Sequence, residues 1–142
     1  NAMRLARTEI NMAYRESDFI RYGQLDFVVG FEVKRSNRKY DCVVCETLKG
    51  RYPKTFKFVG FHSHCRCFVV SILATPEEID QIINGVGKDF KSKNGVYDLP
   101  ENFTDFVSER KDNILNAKNL PYFVRDNLKF DALKFANQRN AK

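Results

Sequence analysis

Apolar and polar positions change period several times along the chain, and each change predicts an element. From Met3 to about Tyr22 the spacing is helical: Ala6, Ile10, Ala13 and Ile20 share a stripe, Leu5, Met12 and Phe19 lie alongside, and Arg7, Glu9, Arg15, Glu16, Asp18 and Arg21 surround it. Gly23 ends the helix. The stripe predicts a helix laid by its apolar face on a sheet, with Arg4, Arg7 and Glu9 placed to bracket a neighbouring element. Between Asp26 and Lys34 the period becomes two. Phe27, Val29, Phe31 and Val33 point one way and Asp26, Val28, Gly30, Glu32 and Lys34 the other, the pattern of a half-buried strand. Ser36 and Asn37 then open a basic turn, and Glu46 to Thr55, with Gly50 and Pro53, reads as an irregular loop. Phe68 to Leu73 is a second strand, β-branched and aromatic, expected to pair with the first.

The second half reads as helical. Thr75 is placed as an N-cap, with Pro76 in the first helical position and Glu78 completing a capping box ahead of Ile79, Ile82, Ile83 and Val86. Gly85 and Gly87 stop that helix, and Lys88 to Tyr97 is a polar loop or joint. Pro100 starts a further helical segment carrying Phe103, Phe106, Val107, Arg110 and Ile114, which Asn119-Leu120-Pro121 breaks. A last segment with Tyr122, Phe123, Leu128, Phe130, Leu133 and Phe135 is helical in character, though its period is poor. The carboxylates of this half, Glu78 among them, fit solvent-facing helix positions. The fold class is therefore α+β: an N-terminal amphipathic helix, a small antiparallel β element closed by a Cys/His knuckle, and a helical C-terminal region. The division falls at 3–74 and 75–142.

Composition narrows this picture. At 142 residues with 43% hydrophobic residues and 13 Phe, the chain has enough apolar content for a core. No apolar run approaches the roughly 18 residues that a membrane span needs. The net charge of +6 is unevenly placed: residues 1–73 carry 13 Lys plus Arg against 7 Asp plus Glu, and residues 74–142 carry 11 against 11. The basic excess belongs to the first half, where it can attract phosphate or an acidic protein. Asn1 and Ala2 ahead of Met3 read as a remnant of tag removal, and the helix starts without a cap, so a piece of a longer protein is expected.

All four cysteines and both histidines fall between Cys42 and Cys67. Cys42-x-x-Cys45 is followed, 16 residues later, by His62-x-x-Cys65-Arg66-Cys67. Two pairs of soft ligands on short turns, separated by a loop, suit one tetrahedral ion, and thiolate with imidazole suits zinc. The expected ligands are Cys42, Cys45, His62 and Cys65. His64 and Cys67 repeat the spacing two residues on and form an alternative pair, since on an extended segment both pairs would point to the same side. Disulfides and buried inert thiols are the other readings, the former disfavoured by a basic chain with an intracellular look.

The helix Arg4-Leu5-Ala6-Arg7-Thr8-Glu9, the Cys42-x-x-Cys45 turn, Leu48-x-Gly50 and above all His62-x-x-Cys65-Arg66-Cys67 together resemble the Mu-F-like minor head protein family of tailed bacteriophages, over residues 4 to about 73. In that family the histidine position is the one matched by His62. The resemblance implies head morphogenesis: a minor protein that joins portal, scaffold and capsid proteins during assembly, in the virion or the cytoplasm of a bacterial host. It gives no match for residues 75–142, where no catalytic set is visible, and a helical interaction extension is expected.

The leading expectation is thus a non-enzymatic structural and assembly protein with a structural zinc-like site. An alternative makes the first half a zinc-stapled nucleic-acid-binding module, with Lys39, Lys49, Arg51, Lys54 and Arg66 meeting phosphates of non-specific DNA and Tyr40, Tyr52 and Phe56 stacking on bases. A third is a metal-dependent hydrolase or nuclease using Glu46 or Asp41 as base, disfavoured because four soft protein ligands leave no open position on the metal.

Overall fold

The computed structural model describes residues 2–37, 41–87 and 90–141, excepting the side chains of 140 and 141. In chain order the elements are α1 (Ala2–Gln24), β1 (Val28–Lys34), α2 (Val43–Leu48), β2 (Gly50–Tyr52), β3 (Phe68–Leu73), α3 (Pro76–Ile83), α4 (Glu101–Glu109), α5 (Lys111–Asn116), α6 (Tyr122–Arg125) and a 3-10 helix over Asp131–Ala141. The fold is α+β. The sheet has three antiparallel strands in the order β2-β1-β3, so the two expected strands do pair.

β1 holds the centre because both of its edges are paired. Phe31 faces Tyr52 on β2 and Ser71 on β3, and Val33 faces Gly50 and Val69. The simple alternation read from Asp26 to Lys34 holds for Phe31 and Val33 and fails before them. Val28 pairs with Leu73 and Gly30 with Ile72, leaving Val29 as the extra residue of a bulge whose carbonyl accepts from Val96 N–H at 3.0 Å. The bulge turns Val28 inward at 2% exposure and leaves Phe27 36% exposed. Gly30 makes for a close fit there, since a Cβ would meet Val96 Cβ at 3.0 Å and the Tyr52 carbonyl at 3.2 Å and both would have to give way. Among the described residues β3 has a strand neighbour, β1, on one side only; its six residues carry no charge, and Phe68, Val70 and Leu73 are exposed.

The segment read as an irregular loop contains α2 and β2. Tyr52 is the reason: fully buried, it donates its hydroxyl to the Leu48 carbonyl at 2.6 Å and stacks its ring near Phe31, Phe56 and Phe103. Around it runs a cluster of edge-to-face and tilted rings, Phe56, Phe61, Phe103 and Phe123, of the kind that adds about 0.5–1.5 kcal/mol per pair beyond burial. Phe31, Val33, Leu48 and Tyr52 from one side of the 74/75 boundary and Phe103, Val107, Val124 and Leu133 from the other share this core. Asn127 clips the halves together. Completely buried, it accepts from Lys57 N–H at 2.7 Å and donates to the carbonyls of Lys57 and Phe123 at 2.9 and 3.0 Å.

Two further expectations are revised. The capping box of α3 is present as read, Thr75 Oγ1 accepting from Glu78 N–H and Glu78 accepting from Thr75 N–H, but Glu78 is buried rather than solvent-facing. Its carboxylate also takes Ser92 Oγ at 2.6 Å and Lys93 N–H at 2.9 Å, and these hydrogen bonds, Ser92 first, pull its carboxyl down to about 2. The helix α1 meets the body with the wrong face for a simple amphipath. Thr8 is its one buried residue among those described, half-buried positions fall at Asn11, Met12, Arg15, Glu16, Asp18, Phe19 and Tyr22, and the stripe Ala6, Ile10, Ala13, Ile20 is exposed. Among the described residues no helix is long and apolar enough to cross a membrane.

Candidate metal centre

The first ligand turn is built by α2. Cys42 is its N-cap, in extended conformation, and the sulfur accepts the N–H of Cys45 at 3.5 Å, as a Ser or Asp side chain would. The turn aims both sulfurs the same way. At the other end of α2, Asn102 of α4 donates to the carbonyls of Thr47 and Lys49 at 2.5 and 3.0 Å, which occupies the open carbonyls there and fixes the helix on the C-terminal half.

The second turn is held mainly by α1. Arg15 donates Nη1 to the Val59 carbonyl at 2.9 Å and Nη2 to the carbonyls of Cys65 and Cys67 at 2.8 and 2.7 Å, its guanidinium lying 5.3 Å from the Phe58 ring centre. Gly60, at φ +125°, permits that approach, because a Cβ would stand 2.8 Å from Arg15 Nη1. Two turns earlier on α1, Thr8 Oγ1 accepts the His64 N–H at 3.0 Å and donates to the Arg4 carbonyl at 2.8 Å. The segment from Phe61 to His64 is a tight bend, closed by Cys65 N–H to His62 carbonyl at 3.2 Å, with His64 at φ +58°. It is not extended, so the two histidines part company.

His62 Nε2 lies 3.2 Å from Cys42 Sγ and 3.0 Å from Cys45 Sγ, and Cys45 Sγ lies 3.8 Å from Cys65 Sγ. The donor atoms fall into two triads that share Cys45: Cys42, Cys45, His62 and Cys45, Cys65, Cys67, each within 4.8 Å. Three of the expected ligands, Cys42, Cys45 and His62, share one triad, while Cys65 adjoins it through Cys45 and shares the second triad with Cys67, a fifth donor. The four thiols are not joined in disulfides. His64 turns away; its Nε2 lies 3.4 Å from Arg66 Nη2, and its buried Nδ1 meets no hydrogen-bond partner among the described residues.

The chemistry of the cluster suits a cation. His62 Nδ1 faces the Ser63 carbonyl at 2.8 Å; a carbonyl only accepts, so Nδ1 carries a proton, and in the neutral ring Nε2 then turns its lone pair to the sulfurs. Hydrogen bonds from Cys45 and Cys67 hold the Cys65 sulfur well below the ordinary thiol range, while the same sharing pushes the Cys45 thiol up. Electron-rich donors packed this closely, two of the sulfurs against a nitrogen lone pair, form a cluster that can bind a metal ion.

Arg15 and Thr8 were missed as supporting residues because nothing in a helix sequence says which carbonyl an arginine will reach 44 or more residues away. Of the basic residues proposed for nucleic acid, Lys39 lies outside the described residues, as does Tyr40. Lys49 pairs with Glu46, Lys54 donates to the Leu25 carbonyl at 3.2 Å, Arg51 is exposed on β2, and Arg66 adjoins His64. Glu46 is tied to Lys49 and to Arg35 at 2.6 Å, which lowers its pKa. Comparison with family models, curated proteins and solved structures gave no match to this chain.

Proposed function

We propose that the chain is a structural and assembly protein of a phage or prophage head, of the Mu-F-like minor head type, in which a zinc ion staples the first half of the fold. The observation that supports the zinc staple is the clustering of Cys42, Cys45 and His62, with Cys65 beside Cys45, from two turns far apart in sequence. Held by four protein ligands, the ion has no open position for water and serves as a crosslink rather than a reaction centre. Cys67, beside Cys45 and Cys65, is the one donor beyond four. The head assignment rests on the residue pattern quoted above, and it places the protein among portal, scaffold and capsid components in the virion or the host cytoplasm. Local bonding favours this reading over the alternatives: Lys49 and Lys54 are engaged within the chain, and Glu46, fastened to two cations, makes a weak general base.

Elemental mass spectrometry with thiol counting tests the staple. One equivalent of zinc is expected, with four reduced thiols; Cys45→Ser, which both triads share, loses it, and Cys67→Ser keeps it. Metal-free protein, or protein lacking two or four titratable thiols, overturns the staple. The head role is tested by proteomics of purified particles encoded with this chain, where a few copies per head are expected. Its absence from particles and precursors, together with normal head assembly after deletion, overturns that role.

A further inference from the structure

The five donors of the Cys/His cluster do not close as one set. They group by threes, Cys42 with Cys45 and His62, and Cys45 with Cys65 and Cys67, and Cys45 alone belongs to both. A tetrahedral ion on arms of about 2.3 Å holds its sulfurs roughly 3.8 Å apart. Cys45 Sγ and Cys65 Sγ already stand at 3.8 Å, on the face that Cys67 completes. A single ion has to draw Cys65 across to the first triad, and it leaves Cys67 over. Two ions let Cys65 stay beside Cys67 and set Cys45 between them, its thiolate having lone pairs enough to bridge.

Charge and space point the same way. Thiols give up their protons to a metal, so the four cysteines bring four negative charges, which two divalent ions cancel and one does not. Burial makes that balance count: Cys45, Cys65 and Cys67 are 1%, 2% and 4% exposed, and an uncompensated charge is costly there. The second triad also opens on a cavity of about 10 Å³ lined by Arg35, Ser36, Arg66, Cys45 and Cys67, the room of about one water. Structural zinc is closed by four protein donors, whereas three protein donors with a position open to water leave the ion exchangeable. We infer that the cluster takes two divalent ions bridged by Cys45, the first on Cys42, Cys45 and His62, the second on Cys45, Cys65 and Cys67. Water completes each, reaching the first past half-buried Cys42 and His62 and the second through the cavity. This rests on the zinc staple proposed above and extends it: the first ion holds the knuckle, and the second comes and goes with the metal supply. Arg15, whose guanidinium sits on the Cys65 and Cys67 carbonyls, opposes a cation at the second triad and makes it the weaker site.

Cobalt(II), a spectroscopic stand-in for zinc, tests this on the intact chain, added without oxygen to reduced, metal-free protein, with circular dichroism as the check of folding. Over the first equivalent, tetrahedral d–d bands, thiolate charge-transfer bands and a high-spin electron paramagnetic resonance signal should grow together. Over the second, the charge-transfer bands should grow further while the resonance signal falls, because a shared thiolate couples the two ions. Zinc titrated against a chelator should likewise bind twice, the second time at least about tenfold more weakly. Cys67→Ser should keep the first ion and lose the second; should that variant misfold, the resonance signal of the unmutated chain decides. Saturation at one equivalent overturns the inference and leaves the staple standing, and no tight uptake at all overturns both. A second equivalent whose resonance signal simply adds to the first overturns the bridge, and one that survives Cys67→Ser lies outside the cluster and overturns the site.

Discussion

Glu78 shows how a residue can be read correctly and incompletely. The Thr75-Pro76-Glu78 signature announces a helix start because capping is a local transaction, settled within four residues. The second set of bonds, from Ser92 and Lys93, comes from a loop 14 and 15 residues on, and no local pattern announces it. The consequence is a pH dependence. The folded carboxyl sits near 2, below the ordinary glutamate value of about 4.3. Its contribution to stability is therefore complete above about pH 4.3 and is lost as pH falls toward 2. Glu78→Gln should flatten that acid limb and leave the slope near neutrality unchanged, as read by urea unfolding across pH. Arg15 and Thr8 belong to the same class of side chain: their residue types are ordinary for a helix, and only the tertiary fold reveals that three carbonyls and one N–H of the Cys/His turn depend on them.

Among elements, long ones with a clean period were legible and short ones were not. The two strands and α1, α3 and α4 follow from periodicity and punctuation, whereas α2 has six residues and too little length to show a period. Its existence depends on Cys42 as cap and on α4 as support. That support predicts an effect at a distance. Asn102→Ala frees the Thr47 and Lys49 carbonyls and should cost about 1 kcal/mol in thermal unfolding. It should also weaken zinc binding in a chelator competition, because Cys45 rides on α2; unchanged zinc affinity would mean that the knuckle holds its shape unaided. The Cys/His cluster itself was legible from spacing alone, but the separation of His62 from His64 was not, since it arises from the bend at φ +58°.

At the scale of the molecule, the shared aromatic core makes the two halves thermodynamically one. Phe56, Phe103 and Phe123 pack across the 74/75 boundary, and Asn127 spans it with three hydrogen bonds. The chain should unfold in a single calorimetric transition, and Asn127→Leu, which strands the Lys57 N–H in an apolar interior, should cost about 2–4 kcal/mol without splitting it. Two resolved transitions would show the halves to be separable. Composition and charge pointed to a core and to a basic first half; they were silent on how the second half is welded to the first, because a buried asparagine looks like any other in a list of residues.

The outermost strand, β3, has one practical outcome. Its run Phe68-Val69-Val70-Ser71-Ile72-Leu73 offers an uncharged rim to which another polypeptide can add itself rung by rung, with no lysine to turn it away. Concentrated samples are therefore expected to lose material by association along that rim below the melting temperature, and Val70→Lys should slow the loss as read by light scattering.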